Sequence, residues 1–315
     1  MPSQANQPLP DGYQLQTYRI MKVLSCGGFS IVYLAHDEHD QPVAIKEYLP
    51  SSLALRHEGD ALPSIAEDNL ATFRYGMKCF FEEGRALARL SHQNVVRVLN
   101  FFRANETVYL VMRYERGRTL QEYIQARKGS IKENFIRRIF TLALNGLREV
   151  HANKLLHLDL KPANIYIRND GTPVLIDFGA ARQTLVQGGF KLNPMYTPGF
   201  APPEQYKNRE LLGPWSDMYS IGASMFACIA GVAPQASDLR VEKDRFVPAT
   251  QLFAGRYSEQ LLETIDWCLQ LDHMKRPQSA MALQKVLLRE RDPEIARRKS
   301  FVVNLRGALA KLARH

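Results

Sequence analysis

The spacing of apolar residues separates a strand-rich first part of the chain from a helix-rich second part. Alternating apolar and polar residues predict strands over residues 18–24, 31–36, 42–47, 95–102 and 107–113. Apolar residues at helical spacing predict helices over residues 73–90, 120–126, 135–153, 218–229, 258–271 and 280–289. We therefore expect an α+β fold, in which a small β-rich lobe and a larger α-helical lobe meet at a cleft near residues 112–117.

Both ends of the chain depart from these patterns. Residues 1–12 are polar and proline-rich and lack the pattern of a signal peptide, so we expect a disordered lead. Residues 291–315 carry seven basic and two acidic side chains, with apolar residues on one helical face. This basic amphipathic tail is compatible with docking to an anionic membrane or a partner, and equally with packing on the large lobe. Residues 13–290 form the domain, with lobes at about 13–115 and 116–290.

Composition argues against several classes of protein. The net charge of +9 invites a nucleic-acid interpretation, but more than half of the excess lies in the tail, so we expect no nucleic-acid partner. The four cysteines form no CxxC pair, which argues against a disulfide framework or a zinc site. Residues 218–234 are apolar, but they are short for a membrane span and contain two glycines. We expect a buried helix there, no transmembrane segment and a cytoplasmic protein.

Candidate chemistry begins at a turn of small residues. The run Leu-Ser-Cys-Gly-Gly-Phe-Ser-Ile-Val, residues 24–32, lies between two predicted strands, and its small side chains allow backbone amides to approach a phosphate. An ordinary hairpin turn explains this run equally well. Lys46 ends the next apolar strand, and Glu83 lies on the following helix, where its carboxylate can hold the ammonium against phosphates. Alone, such a lysine is more often a solvated charge at a strand edge.

The strongest signal is a set of motifs in the second half of the chain. His-Leu-Asp-Leu-Lys-Pro-Ala-Asn, residues 157–164, is followed by Asp-Phe-Gly, residues 177–179, and the pair resembles the catalytic loop and metal-binding motif of protein kinases. Thr-Pro-Gly-Phe-Ala-Pro-Pro-Glu, residues 197–204, resembles the end of a kinase activation segment. Over about residues 17–290 the chain resembles the eukaryotic-type serine/threonine kinases of bacteria, which implies a bilobal kinase fold with the active site in the cleft.

The resemblance implies a role for each polar residue of these motifs. Asp159 would orient the acceptor hydroxyl and accept its proton, and Lys161 would lie near the γ-phosphate of ATP. Asn164 and Asp177 carry hard oxygen ligands that suit Mg²⁺, with Mn²⁺ as an alternative. Each carboxylate taken singly is as compatible with capping a turn or helix. The whole set in this order favours phosphoryl transfer.

The same resemblance implies an ATP pocket. Backbone groups of Arg113 and Glu115 would pair with adenine, and Met112 would be the gatekeeper behind it. The implied ATP-binding residues are Leu24, Gly27, Gly28, Val32, Ala44, Lys46, Met112, Arg113, Glu115 and Tyr166. Structural or regulatory roles are implied for Phe178, Gly179, Thr184, Thr197, Glu204, Asp217 and Arg276.

Among these residues, the resemblance pairs Glu204 with Arg276 and assigns Asp217 to brace the catalytic loop. Lys161 and Thr197 are typical of kinases that phosphorylate serine and threonine. The implied function is transfer of the ATP γ-phosphate to protein hydroxyls in bacterial signalling. Autophosphorylation and an opposing protein phosphatase are part of that expectation.

Three residues depart from the kinase pattern. Ser25 and Ser30 replace the first and third glycines of the phosphate loop, so we expect weaker binding of ATP. Leu158 replaces the arginine that a phosphate on the activation segment neutralises in many kinases, so we expect activity without such phosphorylation. These departures leave a pseudokinase scaffold, which binds nucleotide or partners without turnover, as the main alternative. A small-molecule phosphotransferase is the second, and the activation-segment motif argues against it.

The connection from Lys46 to Glu83 is longer than most kinases need. It is compatible with a tolerated surface loop, with a segment that steers Glu83, and with a binding site for a partner.

Overall fold

The structure is a computed structural model that describes residues 6–127, 130–178 and 197–288. These residues form a sheet-based N-terminal lobe and a helical C-terminal lobe with a cavity between them. The predicted α+β bilobal fold is therefore confirmed.

An antiparallel sheet with one long helix against it forms the N-terminal lobe. Its elements are β1 (Gln14–Leu15), β2 (Tyr18–Cys26), β3 (Ser30–His36), β4 (Pro42–Tyr48), β5 (Ala54–Leu55), β6 (Ser64–Ile65), α1 (Glu67–Ala88), β7 (Val98–Ala104) and β8 (Thr107–Arg113). The sheet order is β1-β2-β3-β4-β8-β7, while β5 and β6 pair separately. In β3, buried Ile31, Tyr33 and Ala35 alternate with partly exposed neighbours, as the two-residue period of a strand requires.

Residues 6–12, which the sequence analysis assigned to a disordered lead, are packed against the N-terminal lobe. The Asn6 amide donates to the Leu49 carbonyl at 3.2 Å and accepts from the Arg56 backbone at 2.7 Å, and Leu9 is buried in the core. One asparagine therefore satisfies two backbone groups of the connection that follows β4. Such a contact between distant segments leaves no periodic pattern in the sequence.

The long connection after β4 is anchored by a buried ion pair. Both terminal guanidinium nitrogens of Arg56 contact the Glu47 carboxylate, at 2.6 and 2.7 Å, and neither side chain is exposed. The hydroxyls of Tyr33 and Tyr109 each donate to the same carboxylate at 2.7 Å. Burial, together with the negative charge of Glu47, raises the pKa of both phenols well above its usual range. This polar cluster fixes the connection to the sheet beside Lys46.

Helices dominate the C-terminal lobe. Its elements are β9 (Gly117–Thr119), α2 (Leu120–Arg127), α3 (Glu133–Ala152), β10 (Ile165–Arg168), β11 (Pro173–Leu175), α4 (Pro203–Lys207), α5 (Pro214–Ala230), α6 (Ser237–Glu242), α7 (Ala249–Leu252), α8 (Glu259–Cys268) and α9 (Ala280–Leu288). Short 3₁₀ turns lie at Pro162–Asn164, Arg209–Leu211 and His273–Lys275. In the small sheet β11-β10-β9, the first strand of this lobe pairs with β10, which follows the 3₁₀ turn at Pro162–Asn164.

The apolar run in the second half of the chain is the buried helix α5, as predicted. It packs against α8, and a Cβ atom on Gly222 would collide with Cys268. Among the residues that the structure describes, no helix combines the length and apolarity needed to cross a membrane.

Element boundaries differ from the predictions where apolar periodicity is missing. Helix α1 begins at Glu67, ahead of the first apolar residue of the pattern, because acidic residues fill its first turn and favour a helix N-terminus. Helix α8 ends at Cys268, three residues before the predicted end. The short elements β9 to β11, α4, α6 and α7 were not predicted, because each has too few residues to show a period.

Candidate active site

A cavity of about 550 Å³ lies between the two lobes. Many of the predicted site residues line it: Leu24, Val32, Ala44, Lys46, Glu83, Met112, Arg113, Glu115, Asn164, Tyr166, Asp177 and Phe178. Strands β2 to β4 supply one wall, helix α1 the back, and β10 with the residues after β11 the floor. Residues far apart in sequence are therefore brought to one concave site of a size that suits a nucleotide.

Gly27 and Gly28 lie outside the lining of this cavity. The Gly27 N–H donates to the Ser30 carbonyl at 2.9 Å, which closes the turn between β2 and β3. The Gly28 carbonyl accepts from the backbone and the hydroxyl of Ser51, at 2.9 and 3.2 Å. The turn is thus bonded to the connection after β4, and the Gly27 N–H is already paired within the turn.

Lys46 and Asp177 form an ion pair in the cavity. The ammonium of Lys46 lies 2.5 Å from Asp177 Oδ1, and the lysine side chain is nearly fully buried. Burial alone would raise the pKa of Asp177, but the charge and hydrogen bond of Lys46 outweigh it and lower that pKa to about 2. Glu83, predicted to hold Lys46, is buried in the wall of the same cavity.

The Asp159 carboxylate is held by three neighbouring side chains. Lys161 Nζ contacts its oxygens at 2.9 and 3.1 Å, the Thr197 hydroxyl donates at 3.0 Å, and Asn164 Nδ2 donates at 2.9 Å. Lys161 Nζ also donates to the Thr197 hydroxyl at 2.9 Å. Because its NH₂ group is committed to Asp159, Asn164 has its carbonyl oxygen left for a ligand. The arrangement surrounds the Asp159 carboxylate with an ammonium, an amide and a hydroxyl that all point hydrogen-bond donors at it.

The Asp217 side chain holds the backbone that precedes Asp159. Asp217 is buried and accepts from the backbone N–H of His157 at 3.0 Å and of Leu158 at 2.8 Å, and its carboxylate also contacts His151 at 2.8 Å. Burial opposes ionisation of Asp217, but the hydrogen bond from His151 and nearby histidine charge lower its pKa. Burial lowers the pKa of His157, and its Nε2 donates to the Ile176 carbonyl at 3.2 Å.

Comparison with known proteins agrees with this geometry. The family model described as "Protein kinase domain" matches residues 18–288. The chain belongs to the protein kinase family. A solved structure described as PpkA-294 in its apo form shares 35% identity with this kinase at a TM-score of 0.78, and the match covers 89% of this chain and 99% of that one.

Two curated bacterial relatives carry similar names. Serine/threonine-protein kinase C of Synechocystis sp. is 29% identical over 86% of this kinase and 49% of its own length. Serine/threonine-protein kinase PknA of Nostoc sp. is 30% identical over 69% of this kinase and 38% of its own length. This kinase therefore spans about half or less of these relatives.

A second buried ion pair anchors the segment that runs from Thr197 into helix α4. The Arg276 guanidinium binds the Glu204 carboxylate through two bonds, at 2.8 and 3.0 Å, and both side chains are buried. Ser216 donates to the same carboxylate at 2.8 Å. Helix α4, which follows Thr197, is therefore fixed to the base of the C-terminal lobe.

Some residues of the site escaped the sequence analysis. Thr119 and Glu122 line the cavity, and the Glu122 carboxylate accepts from the Thr119 hydroxyl at 2.8 Å. Gly117 also lines it, where a Cβ atom would collide with the Ile167 carbonyl. A glycine shortly after β8 was the signal in the sequence that could have indicated this close approach of two backbone segments. Gly179 and Thr184 lie outside the described residues.

The residues present suit a magnesium ion. Asn164 and Asp177 line the same cavity and offer one amide oxygen and one carboxylate. Mg²⁺ is usually held by one or two such ligands, with phosphate oxygens and water completing its shell. Within the described residues no group of three or more acidic, histidine or cysteine side chains forms a self-sufficient metal site. Asn164 and Asp177 therefore suit a metal ion whose other ligands are phosphate oxygens and water.

Proposed function

We propose that this kinase transfers the γ-phosphate of ATP to serine and threonine hydroxyls of proteins, using Mg²⁺. The observation that carries the proposal is the Asp159 carboxylate, held by Lys161, Asn164 and Thr197 beside a cavity that also contains the Lys46–Asp177 pair. Phosphoryl transfer needs little covalent help from the protein, because positioning and charge neutralisation supply most of the catalysis. The cavity offers both.

Each residue has a definite part in this mechanism. Asp159 accepts a hydrogen bond from the acceptor hydroxyl and takes its proton as the oxygen bonds to phosphorus and the bond to ADP breaks. Lys161, 2.9 Å from Asp159, supplies positive charge next to the transferred group. Lys46 binds phosphate oxygens in exchange for part of its contact with Asp177. Asn164 and Asp177 would hold Mg²⁺, which neutralises charge on the phosphates.

The choice of an alcohol over a phenol rests on Thr197 and Lys161. The Thr197 hydroxyl contacts both Asp159 and Lys161, so a small aliphatic hydroxyl fits beside this carboxylate and ammonium. The printed names of the bacterial relatives, serine/threonine kinases, support the same choice.

Leu158 supports activity without phosphorylation of the activation segment. It is buried and apolar, so it presents no charge before Asp159 that a phosphate would have to neutralise. Bacterial signalling, autophosphorylation, an opposing phosphatase, a cytoplasmic location and docking of the basic tail stay predictions of the sequence.

One experiment tests the proposal against its alternatives. The purified full chain is incubated with labelled ATP and Mg²⁺, with and without a generic protein substrate, beside an Asp159→Asn variant that keeps the size of the side chain. We expect label on the protein, its loss in the variant, and similar nucleotide binding by both. Nucleotide binding without transfer by the intact chain would support a pseudokinase, and transfer to small alcohols alone would support a small-molecule phosphotransferase.

A further inference from the structure

Leu158 holds an unusual backbone conformation immediately before the catalytic aspartate. Its φ angle is +58°, in the left-handed region that residues other than glycine, asparagine and aspartate rarely adopt. Its side chain is buried, so the residue cannot relieve this conformation by turning toward solvent. Such a conformation persists only when neighbouring groups hold it.

The peptide groups on both sides of Leu158 are held by buried side chains. Its N–H donates to Asp217 Oδ1 at 2.8 Å, and its carbonyl accepts from Gln205 Nε2 at 2.7 Å. Gln205 is 1% exposed. Only the NH₂ end of its amide can face a carbonyl, which fixes the orientation of the side chain.

Gln205 is itself on a rigid support. It lies in α4 next to Glu204, whose carboxylate is bound by Arg276 and Ser216. The same segment begins at Thr197, whose hydroxyl contacts Asp159 at 3.0 Å. Thr197 therefore connects this segment to the side chains of Asp159 and Lys161, and a second bond, from Gln205, connects it to the backbone just before Asp159.

The second bond acts on Asp159 through the peptide plane. The Leu158 carbonyl and the Asp159 N–H belong to one planar group, so rotation of the carbonyl turns the Asp159 backbone with it. The Asp159 N–H lies 3.4 Å from His157 Nδ1, a long contact that restrains this plane weakly. Gln205 is the short, well-buried restraint on the same plane.

We propose that Gln205 is a positioning residue, which fixes the direction of the Asp159 carboxylate by holding the Leu158 carbonyl. The inference rests on the proposed kinase function for its catalytic consequence, but its structural part does not. The sequence analysis did not single out Gln205, because glutamine after a Pro-Glu pair carries no chemical signal on its own.

Two variants remove the bond in different ways. Gln205→Met keeps the length of the side chain without a donor, and Gln205→Glu keeps its shape while turning an oxygen toward the carbonyl. The matched control is Gln284→Met, because Gln284 is also a buried glutamine that donates to a backbone carbonyl, that of Thr141 at 2.9 Å, far in sequence from the site.

The kinetic result expected is a fall in kcat of about 10- to 100-fold for both Gln205 variants, as for other small displacements of a catalytic group. The affinity for ATP should change less than about two-fold, because Gln205 does not line the cavity. The control should lose thermal stability with kcat unchanged. A Gln205→Met protein that loses stability like the control while keeping its kcat would overturn the proposal.

Replacing Leu158 with glycine tests the reason for the effect. Glycine adopts a positive φ without cost and needs less restraint, so Leu158→Gly should reduce the loss caused by Gln205→Met by several-fold in kcat. Simple additivity of the two changes would contradict the role given to Leu158.

A readout independent of turnover separates this inference from the kinase assignment. Hydrogen exchange of the amides of Leu158 and Asp159 should be at least about ten-fold faster in Gln205→Met and unchanged in Gln284→Met. This result is expected even from a chain that transfers no phosphate. Unchanged exchange in Gln205→Met would refute the inference and leave the proposed function standing.

Discussion

Replacing Arg56 with methionine removes one half of the ion pair that fixes the connection after β4. Glu47 and Arg56 are both fully buried, so the variant leaves a carboxylate in the core without its counter-ion. Breaking a buried pair in this way typically costs about 3–5 kcal/mol. Tyr33 and Tyr109 still donate to Glu47, so we expect the lower end of that range, about 3 kcal/mol.

This loss is a substantial fraction of the free energy of unfolding of an ordinary domain, about 5–15 kcal/mol. For a domain of this size each kcal/mol shifts Tm by about 2–4 °C, so Tm should fall by about 6–12 °C. Thermal unfolding followed by circular dichroism, with urea denaturation to obtain the free energy of unfolding, measures the change. Arg19→Met is the matched control, because Arg19 forms an exposed pair with Asp40, and it should change stability by less than about 0.5 kcal/mol.

A second substitution identifies the cause of the loss. Glu47→Gln in the Arg56→Met background removes the unpaired charge, so the double variant should be more stable than Arg56→Met alone. If Arg56→Met were no less stable than Arg19→Met, the ion pair would not anchor the connection. If the double variant were less stable than Arg56→Met alone, the cost of Arg56→Met would come from lost packing and not from the buried charge.

Three further predictions follow from single contacts. The pKa of Asp177 is depressed to about 2, so its ionisation stabilises the fold above a pH of about 4, and this contribution is lost as the pH falls toward 2. In Lys46→Met this loss of stability at acid pH should shrink. An unchanged dependence of Tm on pH would contradict the pairing. Gly222→Ala should lower the free energy of unfolding by about 1–3 kcal/mol, because the new methyl group collides with Cys268. The control Gly27→Ala makes only ordinary contacts and should lower it by less than about 0.5 kcal/mol. Equal losses would show that α8 moves to make room. Thr184→Ala should keep its kcat within about two-fold, because the buried Leu158 needs no phosphate partner; near-complete loss of activity would refute independence from phosphorylation.

The sequence predicted the parts of the fold in which many residues repeat one pattern. Strand β8 and helix α3 were found within two residues because their apolar positions recur at a fixed spacing. The ordering of Asn6 was missed, because it depends on bonds to Leu49 and Arg56 across more than 40 residues of sequence. The six-residue offset at the start of α1 arose in the same way, since polar residues begin that helix.

The candidate site shows the same division. Motif spacing led to Asp159, Asn164 and Asp177, and the structure places them around one cavity and its rim. Lys46 contacts Asp177, 131 residues away, and no pattern in the sequence predicted that contact. Gln205 was invisible for a related reason, because its significance lies in a carbonyl 47 residues earlier.

The central claim is that Asp159 directs phosphate from ATP to an aliphatic hydroxyl of a protein. Mass spectrometry of a protein substrate after incubation with the full chain, ATP and Mg²⁺ tests it most directly, with Asp159→Asn and Gln284→Met run in parallel. We predict phosphoserine and phosphothreonine from the intact chain and from Gln284→Met, and a loss of at least about 100-fold in Asp159→Asn with nucleotide still bound. Phosphate on tyrosine alone, or transfer undiminished in Asp159→Asn, would contradict the claim.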